Sequence, residues 1–513
     1  MSTHQNVQIH GRLIARNALL NALVQVATML AALVFLPTIV RGLGPDRFGL
    51  ITIVWVLVSY ASVLDLGLTR ALTKFAADAL GTGETRSVRG LIRTAVAGQV
   101  VLGLIGAAAL LALTPILVRD ILRVPAPLAG EAGATLRVLA LGIPVILVSG
   151  SLRGALEATQ RFDLVNAVRF PGGLSLILIP AAGVALGLNL PAMVAGLLAV
   201  RLILMLVMAV MLAGLIPAVP SLSGGRRGLK DLLAYGGWVT VSSVIDPILG
   251  YLDRFIIARL LTVAAVGYYA APFEIVARLL IIPASLTSTL FPAFSTMIRR
   301  GEGDRFRSAF TAAVRYLMLA VGVAAAVLIA YGRAFLHLWL GPDFARQSGW
   351  VIQILALGTF VNSLAYIPYA LMHALGRPDL TAKFHMIELP IHLLFLWTLV
   401  GAWGITGAAV AWATRVAIDA LLLFIAASRH GAISPRWVLA GEASRAWRFL
   451  MVLAGLLLAS SALTAPLWLH GFMVAGLLAL AAVYVWRVLF EDADRARIVE
   501  LMRSVRVPAG AAG

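Results

Sequence analysis

The sequence predicts an all-α polytopic membrane protein, and three observations support this prediction. Hydrophobic types make up 61% of the 513 residues and charged types only 12%, whereas an average soluble domain is about half apolar and about a quarter charged. Apolar stretches long enough to cross a membrane as helices recur along the chain. Basic residues gather in the short connections between them. Soluble enzymes, secreted disulfide scaffolds and disordered proteins are therefore excluded.

Fourteen apolar stretches are predicted to span the membrane, because about 30 Å of hydrocarbon requires roughly 20 helical residues. In chain order they cover residues 17–40, 48–69, 94–118, 135–157, 167–187, 190–215, 232–258, 263–288, 308–331, 347–372, 380–400, 404–427, 447–467 and 470–489. The longest connections, 70–93, 216–231 and 289–307, are basic and too short for a soluble domain. A membrane transporter is therefore a better prediction than an enzyme.

The net charge of +18 arises from 41 Lys and Arg residues against 23 Asp and Glu residues. In a soluble protein such an excess would indicate nucleic-acid binding. Here most basic connections fall on one side of the membrane when the N-terminus is placed in the cytoplasm, as the positive-inside rule requires. We predict that both termini are cytoplasmic and that the protein has no nucleic-acid partner.

Short motifs recur at a nearly constant spacing, which indicates an internal repeat. Val138–Gly142 corresponds to Ile354–Gly358, and Gln160–Leu164 corresponds to Gly376–Leu380, each 216 positions apart. A spacing of 218 relates two further pairs, Arg41 with Arg259 and Gly49 with Gly267. These matches fall at corresponding ends of predicted spans, so we expect the first six spans to resemble the next six.

The repeat predicts two six-helix lobes and two additional helices. The lobes are residues 1–220 (spans 1–6) and 221–430 (spans 7–12), and they precede spans 13 and 14 in 431–490 and a cytoplasmic tail, 491–513. Because six is an even number of spans, both lobes have the same orientation, which makes a parallel repeat. Transporters place the substrate path at the interface of such repeats, although duplication of a structural membrane protein is an open alternative.

Five motifs resemble those of bacterial polysaccharide and oligosaccharide flippases. The resemblance extends over about residues 10–430 and lies in Gly42–Gly49 (GLGPDRFG), Leu64–Leu68 (LDLGL), Leu252–Arg254 (LDR), Val266–Tyr269 (VGYY) and Phe291–Ser295 (FPAFS). The same superfamily holds the multidrug and toxin extrusion transporters and the lipid II flippases. The resemblance implies that the chain moves an undecaprenyl-pyrophosphate oligosaccharide from the cytoplasmic to the periplasmic leaflet of the bacterial inner membrane by alternating access, during surface polysaccharide biosynthesis.

The implied partners are the lipid-linked oligosaccharide and membrane lipids, with polysaccharide polymerase and chain-length proteins as further candidates. No resident cofactor or metal is expected, and coupling to protons or sodium is an open option. The resemblance also implies a central cavity lined by cations from spans 1, 2, 7 and 8. Arginine suits such a cavity because its fixed charge and bidentate fork match a phosphate group.

The candidate substrate-binding residues begin with ionisable side chains in or beside the spans, where charge is costly. Arg278 lies in the middle of span 8, four residues after Glu274, so both face one side of the helix. We expect Arg278 to contact the pyrophosphate and Glu274 to hold or release it; an ion pair that stabilises packing is the alternative. Arg16 and Arg70, at the cytoplasmic ends of spans 1 and 2, either receive the head group or extend to anionic lipids.

Span 1 contributes a polar stripe to the same group of candidates. Asn17, Asn21 and Gln25 follow one another at intervals of four residues and therefore share one helix face. We expect Asn21 and Gln25 to bind substrate, because span 1 lines the cavity in the resembled family. Contact with a neighbouring helix is the alternative.

Four acidic residues within spans are candidates for ion coupling. Asp246 precedes Pro247, and a proline that bends a helix can leave an acidic side chain free to bind a cation or proton. Glu388 lies in span 11, Asp419 in span 12 and Asp65 late in span 2. The alternative for each is an ordinary buried polar contact between helices.

Other charged residues in the spans have less decisive patterns. Arg153 and Glu157 are four residues apart in span 4 and are predicted to form a structural pair. Arg169 and Arg201 fit either a functional or a structural role.

Asp253 and Arg254 form a further charged pair in span 7. As neighbours on a helix they do not face each other, so each is expected to need another partner. Arg254 lies near the span edge opposite the termini and is a candidate for a gate.

Two other functions compete with the flippase. A proton- or sodium-coupled multidrug exporter of the same superfamily is the first, but its cationic substrates would favour an acidic or aromatic cavity, and the spans here contain an excess of arginine. A membrane-bound sugar polymerase or ligase is the second. Such enzymes tend to need a large outward loop, and no predicted outward loop exceeds about twenty residues.

Overall fold

The fold was examined in a computed structural model, which describes residues 11–82, 85–215, 249–430, 442–490 and 495. Every regular element in this part of the chain is a helix. The helices are α1 (Gly11–Ala61), α2 (Leu68–Gly81), α3 (Thr85–Ile116), α4 (Ala126–Ala158), α5 (Phe162–Ala185), α6 (Leu190–Leu215), α7 (249–260), α8 (Val263–Ala277), α9 (Ile281–Arg299), α10 (Gly303–Leu340), α11 (Pro342–Ala374), α12 (Pro378–Arg429), α13 (Glu442–Ser461) and α14 (Leu467–Tyr484). The predicted all-α polytopic class is confirmed.

Ten helical stretches among the described residues are long and apolar enough to cross a membrane. Two of them contain two spans each, because α1 breaks at Gly44 (φ 70°, ψ 170°) and α12 breaks at Gly404 (φ 60°, ψ −141°). Glycine is favoured at these positions because it adopts positive φ without a steric cost. The ten stretches thus contain twelve of the predicted spans, while α13 matches span 13 and α7 matches the described end of span 7.

Residues 70–93 and 289–307, which were predicted to be connections between spans, are largely helical. The second span ends in a 3₁₀ turn, Ser62–Asp65, and Leu66 and Gly67 then take positive φ values before α2 begins. The chain therefore starts a new helix at Leu68 instead of ending in a loop at residue 69. This short helix carries polar and apolar faces, so a search for continuous apolar stretches misses it.

The chain divides into two compact units. The first comprises Met1–Ala271 and His385–Ala408, and the second comprises Pro272–Phe384 and Ala409–Gly513. This division follows contacts between Cα atoms, and the lobe boundaries predicted from the repeat remain a prediction.

Each unit has its own apolar core. In the first unit, side chains of α2, α3, α4, α5 and α6 pack together, with Leu72 and Leu156 fully buried. In the second unit the core contains Phe294, Phe306 and Phe310, and the ring centroids of Phe294 and Phe306 lie 5.0 Å apart in an edge-to-face arrangement.

The backbone repeats the spacing seen in the sequence. Residues with positive φ occur in pairs 216 to 218 positions apart: Arg123 with Gly341, Gln160 with Gly376, and Gly187 with Gly404. The 3₁₀ turn Ser62–Asp65 likewise has a counterpart at Arg278–Leu280. Matching turns at matching positions show that the repeated motifs specify the same local structure twice.

The repeated turn at residues 160–164 and 376–380 also has the same ion pair. Arg161 contacts Asp163 at 2.8 Å, and Arg377 contacts Asp379 at 3.0 Å. In both cases the arginine precedes a helix and the aspartate lies in its first turn, where a negative charge is favourable. The sequence match at these positions therefore reflects a conserved way of starting a helix within the two halves of one chain.

Candidate functional site

The first unit contains a cavity of about 1010 Å³. Side chains of α1, α2, α4, α5 and α6 line it together with the 3₁₀ turn that precedes α2. Its charged lining residues are five basic and two acidic side chains: Arg70, Lys74, Arg153, Arg169, Arg201, Asp65 and Glu157. Apolar residues such as Leu147, Leu176 and Met208 complete the wall. The cavity is therefore cationic and partly apolar.

Asp65 organises the helix break at the edge of this cavity. Its carboxylate accepts hydrogen bonds from the backbone N–H and the hydroxyl of Thr69, at 3.2 and 2.8 Å, and from the side-chain amide of Gln99. These bonds occupy an otherwise unpaired donor in the first turn of α2. Asp65 thus fixes where α2 begins and which of its faces lines the cavity.

Arg70 and Lys74 lie on that face of α2, four residues apart. A hydrogen bond from the Thr73 hydroxyl to the carbonyl oxygen of Gly154, at 3.1 Å, ties the same helix to α4. Both cationic side chains are exposed, as expected for groups that line an open cavity. The helix break therefore places two positive charges side by side at the cavity wall.

Arg153 and Glu157 add the charges of α4. The Nε atom of Arg153 lies 3.7 Å from a carboxylate oxygen of Glu157, and neither side chain is buried. The predicted i, i+4 pair is present, but its contact is long. Both residues also line the cavity, which the sequence did not indicate.

Arg169 on α5 and Arg201 on α6 complete the basic lining. Arg201 is the sole charged residue of α6 and lies near the middle of this apolar helix. Its Nε atom is buried and has no hydrogen-bond partner among the described residues. Sequence reasoning left both arginines undecided; the lone charge in an otherwise apolar span was the signal that could have singled out Arg201.

The cavity has an excess of positive charge that its own acids do not balance. Asp65 is engaged by Thr69 and Gln99, and Glu157 contacts Arg153. No ion pair forms at Arg70, Arg169 or Arg201 within the part of the chain that the structure describes. Such a site favours an anionic ligand, and arginine forks are suited to phosphate oxygens.

The predicted pair of Arg278 and Glu274 lies in the second unit. An Arg278 guanidinium nitrogen is 3.4 Å from a Glu274 oxygen, and each side chain is about 30% exposed. Arg278 begins the 3₁₀ turn that separates α8 from α9, so it does not lie within a continuous helix as the sequence suggested. Its charge is therefore compensated within its own segment.

The remaining predicted site residues are placed as follows. Gln25 is exposed on α1, Glu388 is buried in the part of α12 that belongs to the first unit, and Asp419 is buried in the part that belongs to the second. The side chains of Arg16 and Asn21, and all of Asp246, lie outside the described residues. Of the predicted residues, the structure brings Arg70 and Asp65 together at the cavity.

Asp253 and Arg254 contact each other, although neighbours on a helix were not expected to face each other. A carboxylate oxygen of Asp253 accepts from the backbone N–H of Arg254 at 2.8 Å and lies 3.4 Å from its guanidinium. Both side chains are buried, and the guanidinium lies 4.9 Å from the Tyr251 ring centroid. The long arginine side chain folds back, which a rule based on helix faces does not anticipate.

A reciprocal glycine contact joins α1 to α8 within the first unit. A Cβ atom at Gly49 would lie 2.0 Å from the carbonyl oxygen of Val263, and one at Gly267 would lie 2.7 Å from the carbonyl oxygen of Pro45. At the repeat spacing of 218, Gly49 corresponds to Gly267 and Pro45 to Val263. Each helix therefore presents a glycine to the equivalent carbonyl of the other helix, as in an interface with two-fold symmetry. The contact requires glycine because the two backbones touch.

Comparison with known proteins assigns the family. A family model described as "Polysaccharide biosynthesis protein" matches residues 38–349. The chain belongs to this family. The matched region includes α2 and every residue that lines the cavity, so the charged cavity lies within the segment shared with family members.

Two named relatives are consistent with this assignment. The chain is 31% identical over 413 residues to a Shigella flexneri protein named "Putative O-antigen transporter", which covers 80% of this chain and 96% of the relative. It is 27% identical over 282 residues to a Haloferax volcanii protein named "Probable low-salt glycan biosynthesis flippase Agl15", which covers 55% of this chain and 56% of the relative.

Solved structures share the fold of this family member. The lipid II flippase MurJ in an inward closed conformation has a TM-score of 0.68 at 11% identity, covering 93% of this chain and all of that chain. An inward-facing multidrug resistance transporter of the MATE family has a TM-score of 0.67 at 14% identity, covering 80% and 98%. At these identities the likeness establishes the fold alone.

Proposed function

We propose that this multi-pass membrane protein is a flippase for a lipid-linked oligosaccharide, not an enzyme. The substrate would be an undecaprenyl-pyrophosphate oligosaccharide, moved from the cytoplasmic to the periplasmic leaflet during surface polysaccharide biosynthesis. The observation that carries the proposal is the cationic cavity of the first unit. Membership of the polysaccharide biosynthesis family supports the sugar part of the substrate, and the named relatives support transport.

The chemistry of the cavity suits an amphiphile with an anionic linker. A pyrophosphate group cannot enter hydrocarbon at a useful rate because its charges would lose their hydration. Arg70, Lys74 and the other basic side chains replace that hydration with charge-assisted hydrogen bonds. Apolar wall residues such as Leu176 offer a path along which the lipid tail stays in contact with the bilayer.

Transport by alternating access requires one end of the path to be closed while the other is open. We assign the closed end to the reciprocal contact of Gly49 and Gly267, where α1 and α8 touch through their backbones. These helix ends lie opposite the termini in the predicted topology, which places the contact on the periplasmic side of an inner-membrane protein with cytoplasmic termini. Opening this contact would release the head group.

The remaining parts of the proposal concern coupling and partners. Asp65, Asp246, Glu388 and Asp419 are the candidates to bind a proton or a sodium ion. Asp65 is at the cavity edge, where protonation would weaken its hold on the start of α2. Polysaccharide polymerase and chain-length proteins are the proposed protein partners, because a flipped oligosaccharide must next be polymerised.

Reconstitution tests the proposal directly. Purified protein in liposomes should accelerate the leaflet exchange of a fluorescent lipid-linked oligosaccharide, as measured by loss of fluorescence to a membrane-impermeant quencher. A matched polyprenyl glycoside without phosphate should move much more slowly, because it offers no anion to the basic cavity. Equal rates with and without protein would refute the proposal, and energised uptake of a cationic drug in the same liposomes would favour a multidrug exporter.

A further inference from the structure

Arg201 has no counter-ion among the residues that the structure describes, although it lies in a membrane-spanning helix of the first unit. It is the only charged residue in α6, its side chain is half buried, and its Nε atom is buried without a hydrogen-bond partner among the described residues. A charged group in such a place is costly unless something neutralises it. The position therefore points to a ligand that supplies the missing negative charge.

A second arginine increases this demand. Arg153 of α4 carries a like charge and lines the same cavity as Arg201. Like charges that share a cavity repel each other, and an anion bound between them removes the repulsion. Both side chains line the same cavity, so an anion there can be shared by the two helices.

Glu157 is the only acidic side chain that contacts either arginine in the described residues. Its oxygen lies 3.7 Å from Arg153, which is longer than a well-formed charge-assisted hydrogen bond. Glu157 lies one turn after Arg153 and is itself part of the cavity lining. It therefore balances one of the two arginines loosely and can be displaced by a stronger anion.

We propose that Arg201 and Arg153 form a phosphate-binding subsite in the cavity, and that Glu157 is an internal counter-ion that a phosphate ligand displaces. The subsite suits a group with at least two negative charges, since two arginines face it. This inference rests on the proposed function for the origin of the ligand, which would be the pyrophosphate linker. The shared chemistry is a phosphate group, whether in a lipid-linked sugar or in a membrane phospholipid.

Titration of inorganic pyrophosphate into purified full-length protein in a neutral detergent tests the subsite. Arg201→Gln and Arg153→Gln should each weaken binding about tenfold, because each removes charge-assisted hydrogen bonds. Glu157→Gln should strengthen binding about threefold or more, because it removes the competitor. Arg305→Gln is the matched control: it removes the same charge from an exposed pair with Glu302 in the second unit, and it should bind like wild type.

In this titration, two results would overturn the subsite. One is an Arg201→Gln protein that binds pyrophosphate as tightly as wild type, which would show an adventitious attraction to basic surface. The other is a Glu157→Gln protein that binds pyrophosphate no more tightly than wild type. This variant tests the proposal even if the arginine variants do not fold. Arg201→Lys should recover part of the affinity, since it restores the charge without the fork.

Lipid composition separates the two sources of phosphate. In nanodiscs of phosphatidylcholine, pyrophosphate should bind as in detergent, and adding phosphatidylglycerol should leave its Kd within about twofold. Loss of binding in phosphatidylglycerol would assign the subsite to phospholipid and overturn the proposal. The proposed function fails and the subsite stands if wild-type protein moves no lipid-linked oligosaccharide in liposomes but binds pyrophosphate through Arg201. The subsite fails and the proposed function stands if the protein flips the oligosaccharide and Arg201→Gln changes neither flipping nor pyrophosphate binding.

Discussion

Two 3₁₀ turns at repeat-related positions interrupt their helices with different backbone geometry and different charges. Leu66 and Gly67 take positive φ after the first turn, whereas Ile281 after the second turn is helical (φ −59°, ψ −37°). In the first unit the turn Ser62–Asp65 leads into α2, and in the second the turn Arg278–Leu280 leads into α9. The first break is followed by two cations in the cavity wall, Arg70 and Lys74. At the second break the cation is Arg278 itself, and Glu274 balances it. The duplicated fold is thus retained while the charge pattern differs.

The residues that occupy equivalent positions explain the difference. At the repeat spacing of 216, Arg70 and Lys74 correspond to Leu286 and Leu290, which pack against the core of the second unit. The helix face that lines the cavity in one unit is therefore partly buried against the core in the other. The two halves thus share a scaffold, and different residues on one helix face make that face charged in one unit and apolar in the other.

The largest effect on stability is expected at the glycine contact between α1 and α8, to which both repeats contribute. Gly49→Ala and Gly267→Ala each place a Cβ against a backbone carbonyl and should each lower stability by about 2–3 kcal/mol. Thermal unfolding of the detergent-solubilised protein measures this loss. Gly455→Ala is the control, because a Cβ there meets no atom within 4 Å. A large effect at one glycine and none at the other would contradict a reciprocal contact.

The next effect concerns the charges that distinguish the repeats. Arg70→Gln combined with Lys74→Gln should slow flipping of a lipid-linked oligosaccharide about tenfold, because two contacts to the anionic linker are lost. Arg70→Lys with Lys74→Arg keeps both charges and should retain most of the rate. Unchanged flipping in the Gln double variant would remove α2 from the substrate path.

A smaller effect is expected at the start of α2. Asp65→Asn keeps a side-chain acceptor for Thr69 but removes the charge that strengthens these bonds, and should lower stability by about 1 kcal/mol. The equivalent residue of the second repeat is Ile281, so Ile281→Val serves as a matched control with little effect on the turn. Thermal unfolding again provides the measurement. Stability equal to wild type for Asp65→Asn would show that the break does not depend on this carboxylate.

The smallest effect should occur at the exposed ion pairs that both repeats share. Arg161→Gln and Arg377→Gln each remove a surface pair with an aspartate and should change the unfolding temperature only slightly, because solvent screens exposed pairs. Arg377→Gln should have the smaller effect, because Asp379 keeps a contact with Lys383 at 3.1 Å, and both effects should shrink at high salt. Unfolding temperatures measured at two salt concentrations check this, and a larger loss for Arg377→Gln than for Arg161→Gln would contradict it.

The fold could be predicted from the sequence because bilayer thickness imposes a length on apolar stretches. The turns at Gln160 and Gly376 were also visible as a repeated motif, and the structure gives both the same ion pair. Helix α2 was missed because it is short and amphipathic, and because Leu66 takes a left-handed conformation that its residue type does not suggest.

The candidate site was only partly predictable, for a physical reason. A partner on the same helix, such as Glu274 for Arg278, follows from spacing. Whether Arg201 has a partner depends on which side chains the neighbouring helices place beside it, and the described residues supply none; one sequence does not reveal this. The sequence therefore drew attention to Arg278, which pairs with Glu274, and left open Arg201, which has no ion-pair partner in the described part of the chain.

A side-by-side flipping assay of Arg201→Gln and Arg278→Gln tests the central claim most directly. Both variants remove one arginine from a membrane-spanning region, and both are compared in the same liposomes with equal amounts of folded protein. If the unbalanced cavity of the first unit binds the anionic linker, Arg201→Gln should slow flipping about tenfold and Arg278→Gln by about twofold or less. The reverse order, with Arg278→Gln much slower than Arg201→Gln, would contradict the account.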